Sequence, residues 1–332
     1  MQPYCHIVGM GSALPARVVG NDELAKTLDT TDEWIFSHTG IRARHIVAPD
    51  ESTATLAARA GKAALEQAGV KPEELGTIIV ATTTPDYMGF PSTACLVQHA
   101  LGASKAGAFD VSAACTGFVY SLAVARGLLQ YDPRPVLAIG AEVMTRAVDW
   151  TDRNTCVLFG DGAGAAVLQA SDRPGGLLHT ILRADGKGAP MLLREGGSRL
   201  PPETPSGKPT HIQMQGKPVF NFAVKAFDEI IRDLVAAAGI GLDEVRWIVP
   251  HQANVRIIEA AARRLGIGLE RFFVNIDRLA NTSAASIPLA FDQMLRKNLV
   301  QPGDRIVFVG FGAGLTWGGA MLQWNPAPAA TP

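Results

Sequence analysis

The chain has 332 residues, 47% of them hydrophobic and only 18% charged, with a formal net charge of −1. That length suits one large α/β unit or two similar halves, and near-neutrality excludes a general nucleic-acid or membrane-surface binder. Its apolar runs fall short of a membrane span, and Met1-Gln-Pro-Tyr-Cys-His6 lacks the parts of a signal peptide, so a cytoplasmic protein is expected. Cys5, Cys95, Cys115 and Cys156 have neither metal-type spacing nor the density of a disulfide scaffold.

Gly9-Met-Gly11 begins like a dinucleotide fingerprint, but the third glycine is missing and Leu14-Pro15 stops the required helix. A helical pattern covers 53–68, and the apolar run 77–83 after it reads as a strand buried on both faces. Phe109-Asp-Val-Ser-Ala-Ala-Cys115 leads into a helix over 116–130, and strands are expected at 135–140 and 165–168. Residues 184–218 are rich in Gly, Pro and Ser without periodicity and read as a binding loop. Helices over 219–238, 255–265 and 286–299 then alternate with strands at 247–249, 305–310 and 320–324, and 325–332 reads as a disordered end. Such alternation implies mainly parallel sheets covered on both faces.

The order of elements occurs twice. Helix 53–68, Glu73-Glu-Leu75 and strand 77–83 match helix 219–238, Asp243-Glu-Val245 and strand 247–249. Cys115 lines up with Asn281, Ile139-Gly140 with Val309-Gly310, and both halves close on glycine-rich hairpins. Two duplicated halves are therefore expected, 1–175 carrying the cysteine and 176–332 carrying a histidine and an asparagine.

Three polar residues stand at ends of elements, where a core would not need them. Cys115 opens a helix, whose dipole favours a thiolate. His251 follows strand 247–249, and Asn281 precedes the helix that begins near Ser286. A cysteine can accept an acyl group as a thioester, and a histidine with an asparagine can donate hydrogen bonds to a developing enolate oxygen. The set suits decarboxylation of a malonyl thioester, followed by attack of the carbanion on the acyl group. Backbone N–H groups of Cys115 and of the turn Gly312-Ala-Gly314 are candidates for the oxyanion hole. Alone, each residue has an ordinary reading: a core cysteine, a surface histidine, a helix cap.

Ala114-Cys115-Thr-Gly117, His251-Gln-Ala-Asn254, Asn281-Thr-Ser-Ala-Ala-Ser286 and Gly310-Phe-Gly-Ala-Gly-Leu-Thr-Trp-Gly318 together resemble β-ketoacyl-acyl carrier protein synthase III of the thiolase superfamily. Thr31-Asp-Glu-Trp-Ile35, Thr39-Gly-Ile-Arg42, Phe90-Pro91 and Gly160-Asp-Gly-Ala-Gly164 extend the likeness over residues 4–324. The resemblance implies a duplicated five-layered α-β-α-β-α fold and a homodimer. It implies condensation of an acyl-CoA primer with malonyl-acyl carrier protein, releasing CoA and CO2 and initiating type II fatty acid synthesis.

By the same resemblance Cys115 is the acylated nucleophile, His251 and Asn281 support decarboxylation, and the N–H groups of Cys115 and Ala313 form the oxyanion hole. Trp34 and Arg153 would clamp the CoA adenine, Asn254 would reach the pantetheine arm, and Phe90 would shape the partner subunit's acyl pocket. No metal or redox cofactor is implied. Arg256, Arg263 and Arg264 share one helix face and would dock the acidic carrier protein.

Four positions depart from the usual pattern: His38 in place of arginine, Asn221 in place of lysine, and Asn154 and Ala313 in place of glycine. Phe311 stands where a degradative thiolase needs a second cysteine, and Asn281 replaces the second histidine of elongating synthases. The nearest rival is a relative from secondary metabolism that primes a polyketide or passes an acyl group to another nucleophile. A non-catalytic acyl-binding partner is a more distant rival, since it would lack the nucleophile.

Overall fold

The computed structural model describes residues 4–194 and 211–325. The chain opens with β1 (Tyr4–Ala13), β2 (Arg17–Gly20), α1 (Asn21–Leu24), α2 (Asp32–Thr39), β3 (Ala43–Ile46) and α3 (Thr53–Ala68). There follow β4 (Thr77–Ala81), α4 (Thr93–Leu101), β5 (Gly107–Val111), α5 (Gly117–Leu128), β6 (Val136–Val143) and β7 (Asp161–Ser171). Next come β8 (Gly176–Ala184), β9 (Leu192–Arg194), β10 (Ile212–Met214), α6 (Gly216–Ala237) and β11 (Trp247–Pro250). The chain then adds α7 (Val255–Leu265), α8 (Ile276–Leu279), α9 (Ser286–Arg296), β12 (Arg305–Gly312) and β13 (Thr316–Gln323).

Two sheets carry the fold, a five-stranded one ordered β1-β7-β6-β4-β5 and a four-stranded one ordered β11-β12-β13-β8. They are mixed rather than mainly parallel. β4 runs parallel to β5 and β6, and β11 to β12, while the remaining pairs are antiparallel. The three residues joining β12 to β13 are far too few for a crossover, so that pair has to be a hairpin.

α3 and α4 cover the outer face of the first sheet, α6 and α7 the outer face of the second, and α5 and α9 lie between them. Sequence explains the allocation. α3 buries Leu56, Ala57, Ala60, Ala64 and Leu65 on one face, and its ends are set by the Ser52 cap and by Gly69 at φ +65°. α5 touches both sheets and carries Arg126 as its one charged residue, as a middle-layer helix must. Phe118, Leu122, Ile287, Phe291 and Phe308 interlock in that middle layer. Glycines 9 and 11 belong to β1 and serve packing: a Cβ on Gly11 would come within 2.3 Å of the Ala64 amide in α3.

The register between the two halves differs from the sequence alignment by three residues. Ala114 and Ser283 have left-handed φ values of +47° and +49°, and each opens a single 3-10 turn leading into a central helix. Ala284 is thus the counterpart of Cys115, and Asn281 stands opposite Ser112. The alignment missed the turn inserted between the polar residue and the helix proper.

The segment 184–218 is also more regular than expected. It contains a 3-10 stretch over Gly186–Met191 and the antiparallel pair β9–β10, while 195–210 lie outside the described residues. Of the expected disordered end 325–332, Asn325 is instead tied down by donating to the Pro174 carbonyl at 3.0 Å, and 326–332 lie outside the described residues. Among the described residues no helix is long and apolar enough to cross a membrane.

Candidate active site

Cys115 lies in the 3-10 turn that connects the end of β5 to α5. The left-handed Ala114 before it costs about 1–3 kcal/mol and turns the thiol out of the strand direction. The far hairpin pins this strained corner. Thr316 Oγ1 donates to the Ala113 carbonyl at 3.0 Å, and Thr116 and Thr316 hydroxyls meet at 3.1 Å. Gly312 lies against the corner so closely that a Cβ there would be 2.7 Å from the Cys115 amide nitrogen and 3.0 Å from Ala114 Cβ. For the acylation of Cys115 that the resemblance implies, a Gly312→Ala enzyme should lose about 10²-fold or more in rate by displacing that N–H. Stopped-flow release of CoA checks this, and a wild-type rate would show that the amide needs no fixed place.

The thiol keeps part of its surface open to a cavity, yet burial pushes its pKa up to about 12. A resting thiolate, which the helix dipole alone would suggest, is overridden by desolvation. The adjacent Ser283 hydroxyl works the other way, and the buried Glu142 carboxylate adds to the rise.

His251 enters from the end of β11, its N–H held by the Val309 carbonyl at 2.8 Å. The ring is 1% exposed and meets the edge of Phe311, with centroids 5.4 Å apart. Burial lowers its pKa to about 3, so the imidazole is neutral at physiological pH. Its Nδ1 lies 2.7 Å from Ser286 Oγ, which accepts the Gln252 N–H at 3.4 Å. A neutral ring that accepts the Ser286 hydroxyl at Nδ1 keeps Nε2–H as its donor. Asn281 is fixed by a comparable device. Its Oδ1 accepts the Ser283 N–H at 2.8 Å, which leaves the amide NH2 as donor.

Cys115, His251, Asn281, Phe311 and Gly312 line one cavity of about 280 Å³. A second chamber of about 370 Å³ lies on the other side of Cys115, walled by Met88, Met144, Phe159, Leu192 and Ile212 and bordered by Ala313. Neither the Ala313 nor the Cys115 N–H has a backbone carbonyl partner among the described residues, and the Cys115 N–H lies against its own sulfur. No group of three or more His, Cys, Asp or Glu able to hold a metal occurs among the described residues.

Trp34, His38, Arg153, Asn154 and Asn254 line the first cavity. Arg153 already covers the Trp34 ring at 5.0 Å and donates to the Asp29 carbonyl, so the two close on each other rather than leaving a slot. His38 stacks on the other contact of Trp34, with centroids 4.6 Å apart. Asn254 caps α7 through Oδ1 and donates Nδ2 to the His38 carbonyl at 3.0 Å. Asn154 is turned back onto Asp152 at 3.0 Å.

Phe90 is 91% exposed beside Tyr87 and Met88 and does not line its own chain's cavity. Arg256, Arg263 and Arg264 are all exposed on α7, but Arg264 is paired with Asp228 at 3.2 Å. Asn221 is exposed on α6, one turn from Lys217 and one from Lys225, so positive charge flanks the position that lacks it.

Sequence reasoning missed Ser283, Ser286 and Glu142. Glu142 left one signal, a charged residue in the otherwise apolar run Val136–Val143.

A family model described as 3-oxoacyl-[acyl-carrier-protein] synthase III matches residues 109–186, and its C-terminal counterpart matches 235–324. A β-ketoacyl-[acyl-carrier-protein] synthase III of Xanthomonas campestris is 49% identical over 322 residues, covering 97% of this chain and 98% of that protein. The crystal structure of 3-oxoacyl-[acyl-carrier-protein] synthase III from Aquifex aeolicus superposes with a TM-score of 0.89 at 44% identity, covering 96% of this chain and all of that one. The priming β-ketosynthase of the R1128 polyketide pathway superposes at 0.91 with 37% identity, covering 98% of each chain. With likeness spanning both sheets and the thiolase-like layers, this chain belongs to the β-ketoacyl-acyl carrier protein synthase III family.

Proposed function

We propose that the chain condenses an acyl-CoA primer with malonyl-acyl carrier protein to give β-ketoacyl-carrier protein, CoA and CO2, the initiating step of type II fatty acid synthesis. The observation that carries this reading is the single cavity in which Cys115 meets two neutral hydrogen-bond donors, His251 and Asn281. In the first half-reaction the Cys115 sulfur bonds to the acyl carbon and the bond to CoA breaks. The N–H groups of Cys115 and Ala313 hold the oxyanion. In the second, malonyl-carrier protein loses CO2 while Nε2–H of His251 and the amide of Asn281 stabilise the enolate oxygen. The carbanion then attacks the acyl carbon, and the Cys115 sulfur leaves as a thiolate that takes its proton from solvent.

Two neutral donors suit this step better than a charged pair, because an imidazolium would hold the substrate carboxylate back as well as the enolate. Trp34, Arg153 and Asn254 are the proposed CoA contacts, reached once the nucleotide displaces Arg153 from the indole. Arg256 and Arg263, with support from Lys217 and Lys225, are the proposed carrier-protein contacts, with Arg264 neutralised in part. The exposed Tyr87, Met88 and Phe90 support a homodimer in which Phe90 borders the partner's acyl chamber. We place the division between halves at 175/176, where β8 begins the second sheet, and the enzyme in the cytoplasm without a cofactor.

The test is intact-protein mass spectrometry with a panel of acyl-CoAs, then malonyl-acyl carrier protein. A mass gain on Cys115 that malonyl-acyl carrier protein discharges as β-ketoacyl-carrier protein supports initiation. The likeness to a polyketide-priming enzyme favours one second reading. Acylation that this substrate cannot discharge would point to that secondary-metabolism role instead.

A further inference from the structure

The mechanism above leaves the proton of Cys115 without a destination. His251 is poorly placed to hold it, because burial disfavours its charged form and its Nδ1 lies against Ser286. On the opposite side of the thiol lies Glu142, 0% exposed and projecting from β6 into the seam between β4 and the turn before α9. Among the described residues no charged side chain pairs with it. It is enclosed by the Thr82 hydroxyl at 3.2 Å, the Thr83 N–H at 3.1 Å, the Thr83 hydroxyl at 3.1 Å, the Thr84 hydroxyl at 2.5 Å and the Ser283 hydroxyl at 2.8 Å. β7 presents only Gly162 opposite it. Its charge reaches the site, where it helps to raise the Cys115 pKa.

This cage is unusual for a structural carboxylate. A purely structural Glu would be expected to hold an Arg, a Lys or fixed backbone donors. Here four of the five donors are hydroxyls: those of Thr82 and Thr84 already accept the Thr84 and Val143 N–H groups and are held as donors, while those of Thr83 and Ser283 can turn to accept from a protonated carboxyl. Burial raises its proton affinity above the ordinary carboxylate range, toward what a proton acceptor needs. Ser283 is held at φ +49°, in contact with both Cys115 and Glu142, and so links the thiol to the carboxylate.

We propose that Glu142, acting through the Ser283 hydroxyl, is the positioning residue that receives the Cys115 proton during acyl transfer. As the Sγ–C bond forms, the thiol proton passes to Ser283 Oγ and the Ser283 proton to Glu142 Oε1. The C–S bond to CoA then breaks, and the departing CoA thiolate takes a proton back along the same path, so that Glu142 ends ionised and CoA leaves as the thiol. The proposal rests on the condensing reading above, and it separates the two half-reactions: the carboxylate serves acylation and has no part in decarboxylation.

The test is single-turnover acylation of the full chain by acetyl-CoA and octanoyl-CoA, followed by mass from pH 5.5 to 9, for wild type, Glu142→Gln, Glu142→Asp, Ser283→Ala and the Glu142→Gln/Ser283→Ala double variant. Expected is a wild-type rate that falls on the acid side, and a loss of about 10²-fold with no acid limb in Glu142→Gln and Ser283→Ala. Glu142→Asp should recover the limb, the double variant should be no slower than either single one, and preformed acyl-enzyme should be discharged by malonyl-acyl carrier protein at the wild-type rate. Wild-type acylation by Glu142→Gln, additive losses, or equal slowing of both half-reactions would overturn the proposal. Should Glu142→Gln fail to fold, Ser283→Ala decides alone, and its wild-type rate and limb would be fatal. A wild-type enzyme that gains no mass overturns the condensing reading and this proposal together, whereas labelled wild type with unimpaired variants overturns this proposal only.

Discussion

A Cys115→Ala enzyme is expected to gain no mass from any acyl-CoA while melting close to the wild-type temperature. No other side chain in the two chambers replaces the lost nucleophile: Cys5 and Cys156 are buried elsewhere, and Cys95 belongs to α4. The fold should tolerate the change because Ala113 and Ala114 already line the same turn, and the corner is held by Thr316 and Gly312 rather than by the sulfur. His251 and Asn281 keep their partners Ser286 and Ser283, so CO2 release from malonyl-acyl carrier protein should continue without condensation. Acylation of this variant would remove Cys115 from its proposed role, and loss of both folding and CO2 release would make the residue structural.

The complementary result is expected from Asn281→Asp. The substitution keeps the shape and keeps an oxygen for the Ser283 N–H, so the backbone turn should survive. It removes the amide donor and sets a carboxylate where the enolate charge would grow, inside a cavity walled by Phe311 and Val219. Loss of one oxyanion donor costs about 10²–10³ in rate, and the added repulsion deepens it. Discharge of preformed acyl-enzyme by malonyl-acyl carrier protein should therefore fall by about 10³ or more, while acylation by acyl-CoA stays near wild type. Discharge at the wild-type rate would mean that the Asn281 amide does not meet the enolate.

How far the sequence carries can be judged from individual elements. α3 and α7 fall at the predicted boundaries because Ser52, Gly69, Asn254 and Gly266 mark their ends and the apolar period is unbroken between them. β1 was missed because its glycines, which let it touch α3, look like loop signals along the chain. α2 and α4 were missed because eight- and nine-residue helices give too few turns for a period to show. That Cys115, His251 and Asn281 share one cavity was legible by residue type, since the proposed chemistry admits few alternatives. Their supporting shell was not: Ser283, Ser286 and Glu142 matter only through hydrogen bonds made across the middle layer, which no local pattern encodes. The mutual closure of Arg153 on Trp34 is likewise a tertiary fact, joining residues more than a hundred positions apart.

The placement of α5 and α9 between the sheets has a consequence for traffic. Cys115 and Asn281, the proposed nucleophile and enolate donor, stand just before these two helices, and each helix is clasped by strands on either side. Opening the site by swinging one half from the other would strip apolar surface from both sheets at once, a cost that turnover cannot recover. In the proposed reaction both thioester substrates reach a stationary sulfur through the one cavity that Trp34 and Asn254 share with Cys115. On that reading the frame imposes a queue: the first carrier departs before the second arrives, and the acyl group would wait in the second chamber that Cys115 borders.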